Sequence, residues 1–155
     1  MFPVLPLLAF LAFSACATAE TPAEGASFRS VEGRDWVLTE LRRDGRTIPI
    51  AADRQKLKAA GFEEIYTINF SIREGKVRGL GAPNRFFGPF TLGKGEDLTM
   101  GNLASTMMLS FIEPESLREH EYLAYLSGVL RWALVEDRLE LYSSSASGTA
   151  VLVFE

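Results

Sequence analysis

From residue 34 to the C terminus, short stretches of alternating apolar and polar residues follow one another, and this pattern restricts the chain to a β-rich fold. The clearest alternation places Tyr66, Ile68, Phe70 and Ile72 on one face and Thr67, Asn69, Ser71 and Arg73 on the other. Turn-forming pairs such as Asp44 with Gly45 and Glu74 with Gly75 separate such stretches. The sequence therefore predicts short strands joined by tight turns.

One segment has a strong helical pattern. Residues 116–119 (SLRE) have the form of a capping box, and apolar residues then recur at helical spacing until Gly128, a plausible stop. A weaker helical turn is expected at residues 51–61. Strand-like segments lie at 36–41, 47–50, 66–73, 76–79, 86–92, 97–100, 129–136, 138–143 and 149–154. We expect a small antiparallel α+β domain of about eight strands with one main helix.

The N-terminal segment has the features of an export signal. Residues 2–15 contain no charge and are nearly all apolar, but they are too short for a typical membrane span. Residues 13–16 (FSAC) resemble a bacterial lipobox, in which the cysteine is acylated and becomes the new N terminus. Cleavage after Ala17 or Ala19 is the alternative, and an uncleaved anchor helix is a third. Lipidation of Cys16 explains a lone cysteine in an exported protein.

The domain organisation follows from this interpretation. We predict a lipoprotein signal peptide at 1–15, a flexible tether at 16–33 rich in Ala, Glu, Thr, Ser and Gly, and a folded domain at 34–155. Lipid on Cys16 would make the membrane a partner. By resemblance to the enteric sorting rule, Ala17 after the cysteine favours the outer membrane, with the domain facing the periplasm. A soluble periplasmic protein is the alternative location.

Composition excludes several classes of protein. With Lys+Arg 16 against Asp+Glu 20, the net charge of -4 argues against nucleic-acid binding, which usually needs a basic surplus. One His and one Cys leave too few ligands for a soft-metal site and no possibility of an internal disulfide. We therefore assign no catalytic, cofactor-binding or metal-binding residues, and we expect no cofactor.

Two glycine motifs approach nucleotide-binding sequences without matching them. Residues 88–94 (GPFTLGK) begin like a P-loop, but Gly95 stands where Ser or Thr would bind magnesium, and a strand-like segment follows. Residues 79–81 (GLG) begin like a dinucleotide fingerprint, but Asn84 replaces its third glycine. His120 is the only histidine, and we expect it on the solvated face of the helix.

Aromatic and methionine side chains concentrate in the middle of the chain. The set that we single out as a possible apolar pocket is Phe86, Phe87, Phe90, Met107, Met108 and Phe111. Such a set could line a cavity for an acyl chain or a partner segment. A packed core is the simpler explanation, and we favour it.

The ordered set of segments resembles the META domain of the HslJ heat-shock lipoprotein family. The segments that carry the resemblance are 79–90 (GLGAPNRFFGPF), 103–108 (LASTMM), a strand with Trp36, 67–70, 121–123 (EYL), 139–141 (LEL) and 151–154 (VLVF). The resemblance covers about residues 34–155. It implies a small antiparallel β-rich α+β domain in the bacterial envelope, linked to heat shock, drug tolerance or virulence. No enzymatic activity is established for the family, so we expect a non-enzyme.

The resemblance also bears on individual residues. Gly79, Gly81, Asn84 and Gly88 are expected to form a tight crossing between two strands, because Gly and Asn tolerate positive φ. The family commonly has cysteines at the positions of Pro83 and Ser110, and this chain lacks that pair.

The function that we predict is a non-enzymatic envelope lipoprotein with a stress-related or interaction role and an unknown envelope protein as partner. The alternative is a carrier or pilotin-like protein that binds a lipid or hydrophobic peptide in an apolar cavity.

Overall fold

The computed structural model describes residues 27–109 and 112–155. The predicted signal peptide, Cys16, Ser110 and Phe111 lie outside the described residues, as does most of the predicted tether. The strands are β1 (Trp36–Arg43), β2 (Arg46–Pro49), β3 (Thr67–Ser71), β4 (Lys76–Leu80), β5 (Arg85–Leu92), β6 (Leu98–Met100), β7 (Ala104–Ser105), β8 (Val129–Val135), β9 (Arg138–Ser145) and β10 (Gly148–Phe154). Two α-helices, α1 (Ala51–Ala59) and α2 (Glu119–Ser127), and a 3₁₀ helix at Phe28–Ser30 complete the domain.

The strands form one antiparallel sheet that curls into a barrel-like shape. Its order is β6-β5-β4-β3-β1-β10-β9-β8, with β2 paired to β1 and β7 paired to β5. The two end strands meet, since Asp97 forms an antiparallel bridge with Arg131 and the Trp132 N–H donates to the Glu96 carbonyl at 2.9 Å. Closure of this kind leaves few unpaired strand edges.

The architecture agrees with the predicted antiparallel β-rich domain, but residues 27–109 and 112–155 contain ten strands rather than about eight. Tight turns form where the sequence places them, and Asp44 and Gly45 both have positive φ, as a two-residue hairpin requires. The short strand β7 was not predicted, because it exists only through its pairing with Phe86 and Phe87 in β5. The weak helical pattern at 51–61 becomes α1.

The predicted capping box at residues 116–119 is wrong. Asp53 in α1 is buried, and its carboxylate accepts hydrogen bonds from the backbone N–H groups of Glu115 and Ser116 at 2.9 and 2.8 Å. These residues therefore form a turn held by α1. The helix starts at Glu119, and the Glu121 carboxylate accepts the Arg118 N–H at 3.0 Å. Gly128 ends the helix, as predicted.

Helix α2 packs against β9 and β6 and closes the core of the barrel. Its residues Tyr122, Tyr125 and Leu126 are buried, and the Tyr122 hydroxyl donates to the Thr67 carbonyl at 3.2 Å. In the described residues, no helix has both the length and the apolar character needed to cross a membrane.

The sequence predicts that the folded domain starts at residue 34, but the packed domain begins earlier. Phe28 and Val31 are buried, and the Phe28 ring lies 5.2 Å from Phe70 and 5.0 Å from Trp132, edge-on in both cases. Residues 27–33 therefore belong to the packed domain rather than to the tether. The composition of the segment resembles a linker, but its two apolar side chains are buried and its backbone bonds the sheet, since the Gly33 N–H donates to the Phe70 carbonyl at 3.0 Å.

Candidate functional site

The predicted glycine crossing is a site of close packing rather than of unusual backbone conformation. Gly79 and Gly88 lie inside β4 and β5, and none of Gly79, Gly81, Asn84 and Gly88 has a positive φ. A Cβ on Gly79 would overlap the Thr67 carbonyl oxygen. A Cβ on Gly88 would lie 2.8 Å from the Asn102 carbonyl oxygen. The glycines are thus required where backbones cross closely, which corrects the reason expected from the sequence.

Asn84 and Glu119 form the polar centre of this crossing. The Glu119 Oε1 accepts the backbone N–H groups of Ala82 and Asn84, and its Oε2 accepts the Asn84 Nδ2, all at 2.6 Å. The Asn84 Oδ1 accepts the Thr106 hydroxyl at 2.8 Å and the Met108 N–H at 2.6 Å. One side-chain pair therefore joins the start of α2, the turn between β4 and β5, and the loop after β7.

The residues singled out as a possible apolar pocket do not converge on one cavity. Phe86 and Phe90 point into the core, where Phe86 lies 5.9 Å from Tyr122 and Phe90 lies 5.2 Å from Phe70. Phe87 points outward because it alternates with them along β5. Met107 and Met108 are exposed, and Phe111 lies outside the described residues. Among the described members of this set, the preferred explanation, a packed core, is correct for Phe86 and Phe90.

The loop that contains the two methionines lies next to Pro83. A pair of cysteines introduced at the two positions that the resemblance suggests is therefore a useful test of that resemblance. We expect the double change Pro83→Cys with Ser110→Cys to form a disulfide under oxidising conditions. The bridge should raise the free energy of unfolding by about 2–4 kcal/mol, less whatever is lost with Pro83. Ser110 itself lies outside the described residues, but Asn84 bonds Met108 two positions before it.

The measurement is thermal melting of the Cys16→Ala background with and without reductant, together with a count of free thiols. Each single cysteine variant serves as a control and should keep one thiol and gain no stability. If the double variant retains two titratable thiols after oxidation, the pairing of these positions is wrong.

One surface depression, about 760 Å³, is lined by four arginines, and three of them are paired with acidic side chains. Arg42 bonds Glu140 at 2.8 Å and Glu40 at 3.1 Å. Arg43 contacts the Tyr125 hydroxyl and Glu121 at 3.3 and 3.4 Å.

Arg131 is the third paired arginine of this depression. It bonds Glu96 at 2.6 Å and stacks on the Tyr142 ring at 3.7 Å. These pairs stabilise the sheet surface and leave Arg46 as the lining arginine that makes no ion pair with a described residue.

The second depression, about 590 Å³, lies on the outer face of β3, β4 and β5, and we call it the β3–β5 groove. Its floor contains two cross-strand rows. Asn69, Arg78 and Phe87 are direct neighbours in one row, and Thr67, Leu80 and Arg85 are direct neighbours in the other. Asp35 and Val37 from the β1 side and Glu63 and Glu64 from the loop before β3 complete its lining.

The polar groups of this groove differ in their bonding. Arg85 bonds Glu63 at 2.6 Å, and the Asn69 Nδ2 donates to Asp35 at 2.7 Å. Arg54 bonds Glu64 at 2.8 Å, which lowers the pKa of that carboxyl against the opposing effect of its partial burial. Arg78 makes no ion pair with any described residue. The groove thus combines paired charges at its rim with an unpaired guanidinium on its floor.

The buried phenols of the core are not reactive groups. Burial raises the pKa of both Tyr66 and Tyr122, and the nearby Asp53 carboxylate adds to the effect at Tyr66. The Tyr66 hydroxyl donates to the Leu117 carbonyl. Both phenols are therefore neutral hydrogen-bond donors that fix α2 and the turn before it to the sheet.

The described residues contain no group of three or more His, Cys, Asp or Glu side chains placed to hold a metal ion. His120 is exposed on α2, as expected. The described surface of the β3–β5 groove offers groups for recognition: an aromatic ring, an amide and a free guanidinium on its floor, and the Asp35 carboxylate at its side. Sequence reasoning placed Asn69 on the polar face of its strand and singled out Phe87 for a different apolar cluster. It missed Arg78, and it missed the proximity of the three residues, which depends on strand pairing.

Comparisons with known proteins agree with this architecture. The model of the META domain family matches residues 29–155. The NMR structure of a protein from Burkholderia xenovorans is similar in fold, with a TM-score of 0.61 and 21% sequence identity over 99% of this chain and 97% of that chain. At this identity the likeness concerns the fold alone. No curated protein matches the chain in sequence.

Proposed function

The chain belongs to the META domain family, and we propose that it is a non-enzymatic lipoprotein of the bacterial cell envelope that acts by binding another molecule at its surface. The observation that carries the binding role is the β3–β5 groove, which presents polar and aromatic groups on a rigid sheet. Side chains fixed on paired strands keep their geometry, which suits recognition.

The envelope location rests on the N-terminal sequence. Residues 2–15 have the composition of a signal peptide, and Cys16 stands at the position that a lipobox would acylate. The packed domain begins at Phe28, so residues 17–26 remain as the tether and can span at most about 35 Å when extended. A domain on such a tether stays close to the membrane. Ala17 supports sorting to the outer membrane.

The stress-related part of the proposal rests on family membership alone. The chain shares the family's ordered segments, and heat shock and drug tolerance are the conditions linked to that family. The partner in this role would be another component of the envelope.

The carrier or pilotin-like alternative has less support. It needs a cavity lined by the middle aromatic and methionine residues, whereas Phe86 and Phe90 pack against other rings and Phe87 and Met108 face outward. We therefore favour surface binding over enclosure of an apolar ligand.

The anchor is tested by metabolic labelling with a fatty-acid analogue. We expect wild type to be labelled and to fractionate with membranes, because acyl chains on Cys16 contribute about 0.8 kcal/mol per buried methylene. Cys16→Ala should be unlabelled and lose that fractionation, while Ser14→Ala, which keeps the cysteine and a small residue before it, should behave as wild type. An unlabelled wild-type protein would refute the lipoprotein assignment.

A further inference from the structure

We propose that the β3–β5 groove is a saccharide-binding site, in which Phe87 stacks against a sugar ring while Asn69, Asp35 and Arg78 bond its polar edge. The inference rests on the proposed binding role, but it does not depend on the lipid anchor. It names the class of ligand that the groove would take.

Asn69 gives the groove a hydrogen-bond acceptor that no other described residue uses. The residue is only 7% exposed, and its Nδ2 is committed to Asp35 at 2.7 Å. Because Asp35 accepts a hydrogen bond from the Asn69 Nδ2, the orientation of the Asn69 amide is fixed and its Oδ1 faces away from Asp35. No described residue donates to that Oδ1. Among the described residues, the buried side-chain polar atom without a partner is the Trp132 Nε1, so the Asn69 Oδ1 is open to solvent and can accept a hydrogen bond from a ligand in the groove.

Arg78 and Phe87 place complementary groups beside this oxygen. The three residues are direct cross-strand neighbours, and such pairs have Cβ atoms about 4.5–5.5 Å apart. Arg78 has no ionic partner among the described residues, so its guanidinium can donate to a ligand oxygen. Phe87 is 59% exposed, although it lies in the middle of a strand. The row thus offers an acceptor, a multiple donor and an apolar ring within the span of one small ligand.

This combination matches a sugar better than a peptide or a lipid. A pyranose has an apolar C–H face for an aromatic ring and edge hydroxyls that both donate and accept. A peptide strand would need a free sheet edge, but β3 and β4 are each paired on both sides. A lipid tail would have to contact Asp35, Arg78 and their charged neighbours, which costs desolvation without compensation. The volume of about 590 Å³ suits one or two sugar rings.

The test is calorimetric titration of the full chain in detergent with two probes, an N-acetylglucosamine tetramer and maltotetraose. The first represents amino-sugar chains such as those of the cell wall, and the second represents neutral hexose chains. We expect saturable binding of at least one tetramer. The tetramer that binds more tightly shows which of the two classes of sugar chain the groove recognises. Phe87→Ala and Arg78→Gln should each weaken binding about fivefold to tenfold, because each removes one direct contact.

Leu130→Ala is the matched control. Leu130 is 57% exposed in β8 and lines the other depression, so its loss removes similar exposed apolar surface without touching the β3–β5 groove. This variant should bind as wild type, and all three variants should melt near the wild-type temperature. Wild-type affinity in Phe87→Ala and Arg78→Gln would overturn the proposal, as would no binding of either probe at about 10 mM.

Self-association is a separate outcome. If sedimentation shows a dimer that Phe87→Ala dissolves, the groove is covered by a second copy of the chain and the saccharide assignment fails. An unlabelled Cys16 would leave all of these binding results unchanged. The failure of the anchor and the failure of the binding site are therefore distinguishable.

Discussion

Replacing Phe70 by Ala is expected to lower the free energy of unfolding by about 3–5 kcal/mol, a large part of the stability of a domain this size. The Phe70 ring is fully buried and meets Phe28 and Phe90 edge-on, each with ring centroids 5.2 Å apart. Truncation leaves a cavity between three elements that paired strands cannot collapse to fill. The loss of unfolding free energy is measured by urea unfolding, in which the m value should equal that of wild type.

The neighbouring positions provide controls that separate sequence pattern from structure. Ile72 shares the apolar face of the alternation, but it is 37% exposed because β3 ends at Ser71. Ile72→Ala should therefore cost under about 1 kcal/mol. Asn69→Ala should cost about 1 kcal/mol through loss of the bond to Asp35. Equal losses at Phe70 and Ile72 would show that the strand register is misassigned.

Glu119→Ala is expected to lower the free energy of unfolding by about 2–4 kcal/mol, because three donors lose a charged acceptor at once. The amide of Asn84 cannot turn to compensate, since its Oδ1 already accepts from Thr106 and Met108. The amide proton of Met108 should also exchange faster with solvent, because its acceptor, the Asn84 Oδ1, is held in place through the bond of Asn84 to Glu119. Chemical denaturation and hydrogen exchange measure the two effects.

Glu136→Ala is the matched control for this change. The Glu136 side chain is 84% exposed and lies 3.7 Å from Arg138, so its removal should change stability by under about 0.5 kcal/mol. The double variant of Glu119→Ala and Asn84→Ala should lose less than the sum of the single losses, because the two residues share one network. Additive losses would mean that Glu119 and Asn84 act independently, which would contradict the polar centre that they are said to form.

Local features of the fold could be predicted from the sequence. The strands came from period-two alternation, and the hairpin at Asp44 and Gly45 came from a dipeptide that tolerates positive φ. Gly128 ends α2 as expected. These features depend on residues close together in the chain. The core role of Phe70 followed in the same way, since a strand with one apolar face must bury it.

Features that depend on distant residues could not be predicted in this way. The Asp53 carboxylate accepts hydrogen bonds from the N–H groups of Glu115 and Ser116. These residues therefore form a turn, and α2 starts later in the chain than the sequence predicts. The choice between packed core and pocket for Phe86 and Phe87 depended on which side of β5 faces inward.

The sequence alone determined that the chain forms short antiparallel strands and a helix that ends at Gly128, because periodicity and turn chemistry act over a few residues. The tertiary structure decided how the strands close into a barrel and which side chains share a surface. Asn69, Arg78 and Phe87 are well separated in the chain, and only the register of β3, β4 and β5 brings them into one row. Register depends on long-range pairing, and a shift by one residue would move every side chain of a strand to the other face.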